Sequence, residues 1–324
     1  MSQQFIHSHD CNEKHGDAVW GIAYADPQRV VSVSADGTAK YWNGASGQTM
    51  RVSSPHPVGI TSVSVNMRGT KVLYNSLEGL TSLWDLETGE IVGKHESYVR
   101  TSTDQEPAWS VSLHPDGETF AATGGSGNVT LHSANPTNFG DRLAKLESGR
   151  AKMGMCTVYS PDGSRVALSL ETGQIFIFDI ASKTLSSTYT AHAACVRSIS
   201  WSDDSSLLLS ASDDRQLTLF DVRTGGSGGG AVASLVGHSS WVLSSSFSPD
   251  KKLAVSGSAD KTIRVWDIGT RSTVSHIQDT GEVWSVVWRP QGAGVPTNAA
   301  GGSGTFVSGG EDGVVKWWRS AGVS

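Results

Sequence analysis

Between Gly237 and Arg271 the chain runs through three short stretches whose apolar and polar positions follow a strand-like pattern. Val242–Phe247 and Leu253–Ser256 are β-rich, and Thr262–Trp266 alternates Thr, Ile, Arg, Val and Trp. A two-residue period sends successive side chains to opposite faces, so each stretch reads as a strand. Ser-Pro-Asp at 248–250 and Ser-Ala-Asp-Lys at 258–261 supply the turns between them. The segment opens on Gly237-His238 and closes on Trp266-Asp267. A Gly-His opening, a turn acid and an aromatic-acid close, within about 40 residues, predict one four-stranded propeller blade.

The pattern recurs. A matching aromatic ends each third strand at Trp42, Trp84, His132, Phe178, Phe220, Trp266 and Trp318, at intervals of 42, 48, 46, 42, 46 and 52 residues. A turn acid lies six residues earlier at Asp36, Glu78, Asp214, Asp260 and Asp312, and blades three and four carry Ser126 and Thr172 there. The opening histidine stands 27 or 28 residues before the aromatic at His15, His56, His192 and His238. Seven periods fill the 324 residues. The expectation is an all-β, seven-bladed β-propeller forming one domain over 1–324. The last blade runs out of chain after three strands, while Phe5–His9 is surplus at the start. Phe5–His9 is therefore expected to supply the last blade's outer strand and close the ring, removing open strand edges.

Loops and composition refine this picture. The connection at 97–107 joins an outer strand to the next inner strand, on the face that carries the turn acids, here called the top. The glycine-rich 224–230 and the insertion 290–304 are expected on the opposite, bottom face as Gly/Ser-rich loops. The net charge of −6 gives no basic character that would suggest direct nucleic-acid binding. No apolar run approaches the roughly 18 residues of a membrane span. MSQQFIHSHD lacks the basic start and apolar core of a signal peptide. Three widely spaced cysteines, Cys11, Cys156 and Cys195, fit a reduced, intracellular protein without a disulfide framework.

His238, Ser256 and Asp260 have the residue types of a hydrolase, but a catalytic triad occurs once and this set repeats around the ring. The expected role is a buried hydrogen-bond chain from Asp to His to Ser to Trp within each blade, built on His15, Asp36 and Trp42, on His192 and Asp214, and on His238, Asp260 and Trp266. His7, His9 and Cys11 share one face of a strand, but their spacing matches no common closed zinc site. The glycines at 225–230 lack the Gly-Lys-Ser/Thr ending of a phosphate loop. The sequence offers no positive case for an enzyme, a metal or a cofactor.

One pattern points to a partner. Early in each first strand, one position is expected to face the top near the central channel: Trp20, Thr61, Trp109, Met155, Arg197, Leu243 and Trp284. Trp241 adds a fourth indole beside Leu243. Blades six, seven and one adjoin in a closed ring, so Trp241, Leu243, Trp284 and Trp20 are expected to form one arc. Asp17, Glu106 and Glu282 lie close by in sequence. An aromatic arc rimmed by acids suits a peptide carrying an Arg and a large apolar side chain. The competing reading is that these indoles fold down between blades.

With its Gly-His and Trp-Asp blades, the chain resembles the WD-repeat superfamily over nearly its whole length. It is similar, more narrowly, to the WD-repeat subunits of Ski (superkiller) complexes in AVWGIAY (18–24), PAWSVSL (107–113), YSPDGSRVALSLETGQIFIFDI (159–180), HSSWVLSSSFSPD (238–250), VWDIGTR (265–271) and VKWWRSAG (315–322). That resemblance implies a non-catalytic scaffold, cytoplasmic and nuclear. It implies a place beside a tetratricopeptide-repeat scaffold and an RNA helicase that feeds the exosome in mRNA decay. It further implies partnership with the topoisomerase-like protein that makes meiotic DNA breaks in fungi, or with the Paf transcription complex in animals. Partners would present a Gln-Arg plus aromatic motif to the segments holding Trp20, Trp109, Trp241 and Trp284. A substrate receptor of a ubiquitin ligase is the alternative. It would need a Trp-Asp-x-Arg box, and Phe220-Asp221-Val222-Arg223 and Trp266-Asp267-Ile268-Gly269 each miss one element.

Overall fold

The computed structural model describes residues 4–97, 107–223, 230–291 and 304–321. The connection at 98–106 and most of the two expected bottom loops, 224–229 and 292–303, lie outside them. The described residues form seven four-stranded antiparallel sheets and no helix, which makes the chain a seven-bladed β-propeller. The innermost strands are Val19–Asp26, Ile60–Val65, Ala108–Leu113, Gly154–Tyr159, Val196–Trp201, Val242–Phe247 and Val283–Trp288. The sequence-expected blade-six strands are present, the second and third running slightly further, to Ser258 and Asp267.

The strand Phe5–Asp10 pairs antiparallel with Val315–Ser320 and is the outer strand of blade seven, so N-terminal residues complete the last blade. Phe5 anchors it: its ring is buried edge-on against Trp288 at 5.7 Å and tilted against Phe306 at 5.5 Å. Full burial of such a side chain is worth about 1.5–3 kcal/mol.

The core lies between neighbouring blades. Leu253, Val255, Ile263 and Val265 of blade six meet Val283, Val286, Phe306 and Trp318 of blade seven, and Trp42 of blade one meets Val315 and Trp317. Polar groups bind the same seams near the axis. Ser62 Oγ accepts from the Val111 amide (2.9 Å), Ser110 from Thr157 (3.1 Å), Ser198 from Ser245 (3.4 Å), Ser244 from Val286 (3.1 Å) and Ser285 from Ile22 (3.0 Å). Cys156 takes this place between blades four and five, with its sulfur on the Ile199 amide, and burial pushes its thiol up. Each of these residues reaches from one blade to the next in the same rotational sense. Blade one breaks the series with Gly21, where a Cβ would come within 2.9 Å of Val33 Cγ2 and 3.1 Å of Val63 Cγ1. The seam between blades one and two is packed too tightly there for a serine.

Candidate protein-interaction surface

Each innermost strand carries a β-bulge near its top end. The pairing skips one residue between Val19 and Gly21, Ile60 and Ser62, Ala108 and Ser110, Gly154 and Cys156, Val196 and Ser198, Val242 and Ser244, and Val283 and Ser285. The skipped residues are Trp20, Thr61, Trp109, Met155, Arg197, Leu243 and Trp284. A bulge leaves its extra residue unpaired and re-aims the side chain. All seven line the central channel, a cavity of about 640 Å³.

The environments of these residues differ. Trp20, Trp109 and Trp284 are half-buried, whereas Leu243 and Met155 are buried. The six-membered ring of Trp20 crosses to blade two and lies against Gly59, where a Cβ would come within 2.7 Å of it. Trp20 thus wedges partly between blades, as the competing reading requires, while still lining the channel. Next to it Val58 and Leu77 of blade two are exposed apolar residues on the top.

Trp241 does not join the arc expected with Leu243, Trp284 and Trp20. It is 51 % exposed, does not line the channel, and its ring lies 5.4 Å from the guanidinium of Arg197 in blade five. Arg197 in turn donates twice from Nε (2.9 and 3.1 Å) and once from its terminal nitrogen (2.8 Å) to Asp213. The cation–π contact draws Trp241 toward blade five, so the top carries two separate regions instead of one arc. The first spans blades seven, one and two, with Trp284, Trp20, Val58 and Leu77. The second is the Trp241–Arg197–Asp213 cluster. Sequence reasoning missed Asp213, Val58 and Leu77. Their signals were an arginine at a channel position facing an Asp-Asp turn, and apolar residues in a top loop.

Of the expected acids, Asp17 is exposed and its Oδ1 accepts from the Ala18 amide at 2.7 Å. Glu282 is half-buried and its amide donates to Glu311 Oε2 at 3.2 Å. Glu106 lies outside the described residues.

The repeated histidines sit beneath this surface. In blade six, Trp266 Nε1 donates to Ser256 Oγ (2.9 Å), Ser256 meets His238 Nε2 (2.7 Å), and His238 Nδ1 meets Asp260 Oδ2 (2.8 Å). An ionised carboxylate only accepts, so Nδ1 carries the proton and Nε2 accepts from the serine. Blade one repeats the chain with Trp42, Ser32, His15 and Asp36, the last link being 3.3 Å. Burial lowers the pKa of His238, and lowers that of His15 to about 4. Burial would raise Asp260, but bonds from His238, Thr262 and the Ser239 amide outweigh it and hold the carboxyl far below its usual range.

The chain expected in each blade is complete only in these two. Blade five keeps His192, Asp214 and Ser210 (2.8 and 2.6 Å) but ends on Phe220, which has no N–H. In blade two Tyr74 replaces the serine and His56 meets Glu78 at 3.4 Å. Blade seven keeps the Trp318–Ser308 bond at 2.8 Å, but Asp279 stands at the histidine position. There Lys316 bridges Asp279 and Asp312 and replaces the imidazole with an ammonium. Among the described residues no group of three or more His, Cys, Asp or Glu side chains is placed to hold a metal ion. His7 instead meets Asp10 at 2.6 Å, and His9 stacks on Trp317.

Comparison with known proteins accords with this geometry. The model of the WD domain, G-beta repeat, matches residues 5–43, 183–221, 229–267 and 270–319. Each stretch begins on or just before an outer strand and ends on the third strand of the following blade. The meiotic recombination protein rec14 of Schizosaccharomyces pombe is 31% identical over 325 residues, spanning 99% of each chain. The WD repeat-containing protein SL1-17 of Schistosoma mansoni is 30% identical over 68% of this chain and 72% of its own. The WD repeat-containing protein VIP3 of Arabidopsis thaliana is 26% identical over 58% of this chain and 61% of its own. None of these names states a catalytic activity. With its repeat spacing, its seven closed blades and these matches, the chain belongs to the WD-repeat family.

Proposed function

We propose that this chain is a non-catalytic adaptor that holds an extended segment of a partner on its top face, across the channel mouth. The observation that carries this is the row of seven bulges, which turns three tryptophans toward the mouth where exposed Val58 and Leu77 extend the apolar area. An aromatic side chain of the partner fits the region of Trp284, Trp20, Val58 and Leu77. An Arg is drawn to indole faces and to the carboxylates of Asp17 and Glu282. A segment with Gln-Arg followed by an aromatic has this chemistry.

Full-length similarity to a protein named for meiotic recombination supports a place with the meiotic DNA-cleaving machinery. The sequence resemblance supports a second place, in a Ski-type complex beside a tetratricopeptide-repeat scaffold and an RNA helicase, assisting exosome-mediated mRNA decay. These roles place the chain in both nucleus and cytoplasm.

Calorimetric titration of a Gln-Arg-aromatic peptide tests the surface. Trp20→Ala combined with Trp284→Ala is expected to weaken binding at least about thirtyfold, since an aromatic hot spot contributes about 2 kcal/mol or more. Deletion of 292–303 is expected to leave the affinity unchanged. Unchanged affinity in a folded double variant refutes the surface. Purification from the native cell followed by mass spectrometry tests the complexes. Absence of a helicase, a tetratricopeptide protein and a topoisomerase-like protein refutes both assignments.

A further inference from the structure

The loops that lead into the bulges carry opposite charge on opposite sides of the channel mouth. Three residues before its bulge, blade one has Asp17 and blade four has Lys152. In a closed ring of seven blades, blades four and five stand opposite blade one. Lys152 therefore holds, across the mouth, the place that Asp17 holds beside Trp20. Both residues are exposed, and so is Arg150 in the same loop as Lys152.

The blade-four loop is pinned by its backbone, so these cations stay on the top. The Arg150 amide donates to Ser148 Oγ at 3.1 Å. The Glu171 amide donates to the Met153 carbonyl (2.9–3.0 Å apart in ordinary ladders, 3.0 Å here), and the Met153 amide donates to Glu171 Oε1 at 3.3 Å. The loop also rests on blade three's top turn: a Cβ on Gly127 would come within 2.1 Å of the Lys152 carbonyl oxygen and 3.1 Å of that of Arg150. Among the described residues neither the Arg150 nor the Lys152 side chain has an ion-pair partner. Glu171, the nearby carboxylate, is turned to the Met153 amide. Blades five and six add exposed Arg215 and Lys261, at the turn position where the other five blades have a left-handed glycine. On the opposite side, blades seven and one present Glu282, Glu311 and Asp17, and Lys14 there is matched by its neighbour Glu13.

We infer that the partner segment is charged in a fixed order: its Arg lies over blades seven and one, and acidic side chains beyond its aromatic lie over Arg150 and Lys152 of blade four. This rests on the top-face surface proposed above and adds the segment's direction across it. Acids next to the Arg would meet the carboxylates of Asp17 and Glu282, so they belong on the far side of the aromatic. Exposed charges of this kind steer encounter and reject segments of the wrong pattern more than they add affinity. Each exposed pair contributes up to about fivefold in affinity.

The test compares three peptides by calorimetry and stopped flow, each with Gln-Arg and an aromatic followed by a tail of Glu, of Gln or of Lys. At low salt the Glu tail is expected to bind the full chain about fivefold tighter than the Gln tail and to associate faster, with the gap closing as salt rises. The Lys tail is expected to bind weakest. Arg150→Glu combined with Lys152→Glu is expected to reverse this order and to leave the affinity of the Gln tail unchanged. Equal affinity of the Glu and Gln tails, or an order that the double variant does not alter, overturns the inference. The Gln tail checks the surface separately, through Trp20→Ala combined with Trp284→Ala. If that variant weakens the Gln tail while all tails bind the unaltered chain alike, only the charge order falls. If it leaves the Gln tail's affinity unchanged, the surface and the charge order fall together.

Discussion

Replacing Asp260 by Ala removes one carboxylate and strands four donors. Oδ2 accepts from His238 Nδ1 (2.8 Å) and the Ser239 amide (2.9 Å), while Oδ1 accepts from the Thr262 amide (3.0 Å) and hydroxyl (2.6 Å). Water can reach Ser239, which is exposed on the top. It cannot reach the His238 side chain, which is fully buried. That N–H keeps only the longer contact to the Thr262 hydroxyl at 3.3 Å, and with the Thr262 amide left unpaired the cost is about 1–3 kcal/mol. Transfer of the proton to Nε2 offers little relief, because Nε2 would then face a serine that must turn its own hydroxyl away from both His238 and Trp266. The equivalent acids are more accessible: the Asp260 side chain is 5 % exposed, Asp214 13 % and Asp36 17 %. The losses in urea midpoint should therefore rank Asp260→Ala, then Asp214→Ala, then Asp36→Ala. A double-mutant cycle of Asp260→Ala with His238→Ala should show a coupling above about 1 kcal/mol. A reversed ranking, or additive single variants, would refute the reasoning that exclusion of water from the acid and its imidazole sets the cost.

Removing residues 1–10 should expose the edge of Val315–Ser320 and the seat of Phe5, lowering the melting temperature and promoting aggregation. A truncated chain that melts with the full one contradicts closure by this strand. Acid should unfold the protein through its histidines. His15 is held neutral with a pKa near 4 against 6.5 unfolded, so below pH 6.5 the unfolded chain binds the extra proton and stability falls until about pH 4. At the bottom of that window the loss for this one group is about 3 kcal/mol. His15→Gln should flatten the slope of stability against pH, and an unchanged slope excludes this histidine as its source. Glu282→Lys should slow association of an Arg-bearing partner peptide in stopped flow, and an unchanged on-rate removes Glu282 from the steering field.

Much of the fold was legible because it repeats. Asp36, Asp260, Trp42 and Trp266 recur at fixed offsets, and no single residue had to be read correctly for seven blades to emerge. The channel positions were legible for the same reason: one alignment places all seven. The details that depend on neighbours in space were not. Trp241 looked like a member of the arc until Arg197, distant in sequence, drew it toward blade five. Lys316 gave no sign in sequence that it would replace an imidazole, because its partner Asp279 lies far off in sequence, in the connection from blade six to blade seven. Nothing in the sequence marks the serines beside the bulges as links, and only the ring geometry shows them reaching across seams. Val58 and Leu77 went unnoticed since isolated surface apolar residues are common.

The missing hydroxyl at Gly21 also gives the ring a place to fail. A loop of identical links distributes tension evenly and has no preferred fracture. Here six junctions carry a side-chain latch near the axis, and the seventh, between blades one and two, has only close contact at that end, its Arg51–Glu87 bond lying out at the rim. Pulled apart by its outer strands, the propeller should part there first, as a bracelet opens at its clasp. Trp20 lies across that joint with its ring on Gly59, and a partner seated on Trp20, Val58 and Leu77 would span both sides. Occupancy of the top face would then act as a brace, and the force needed to open the ring would report whether the adaptor is loaded.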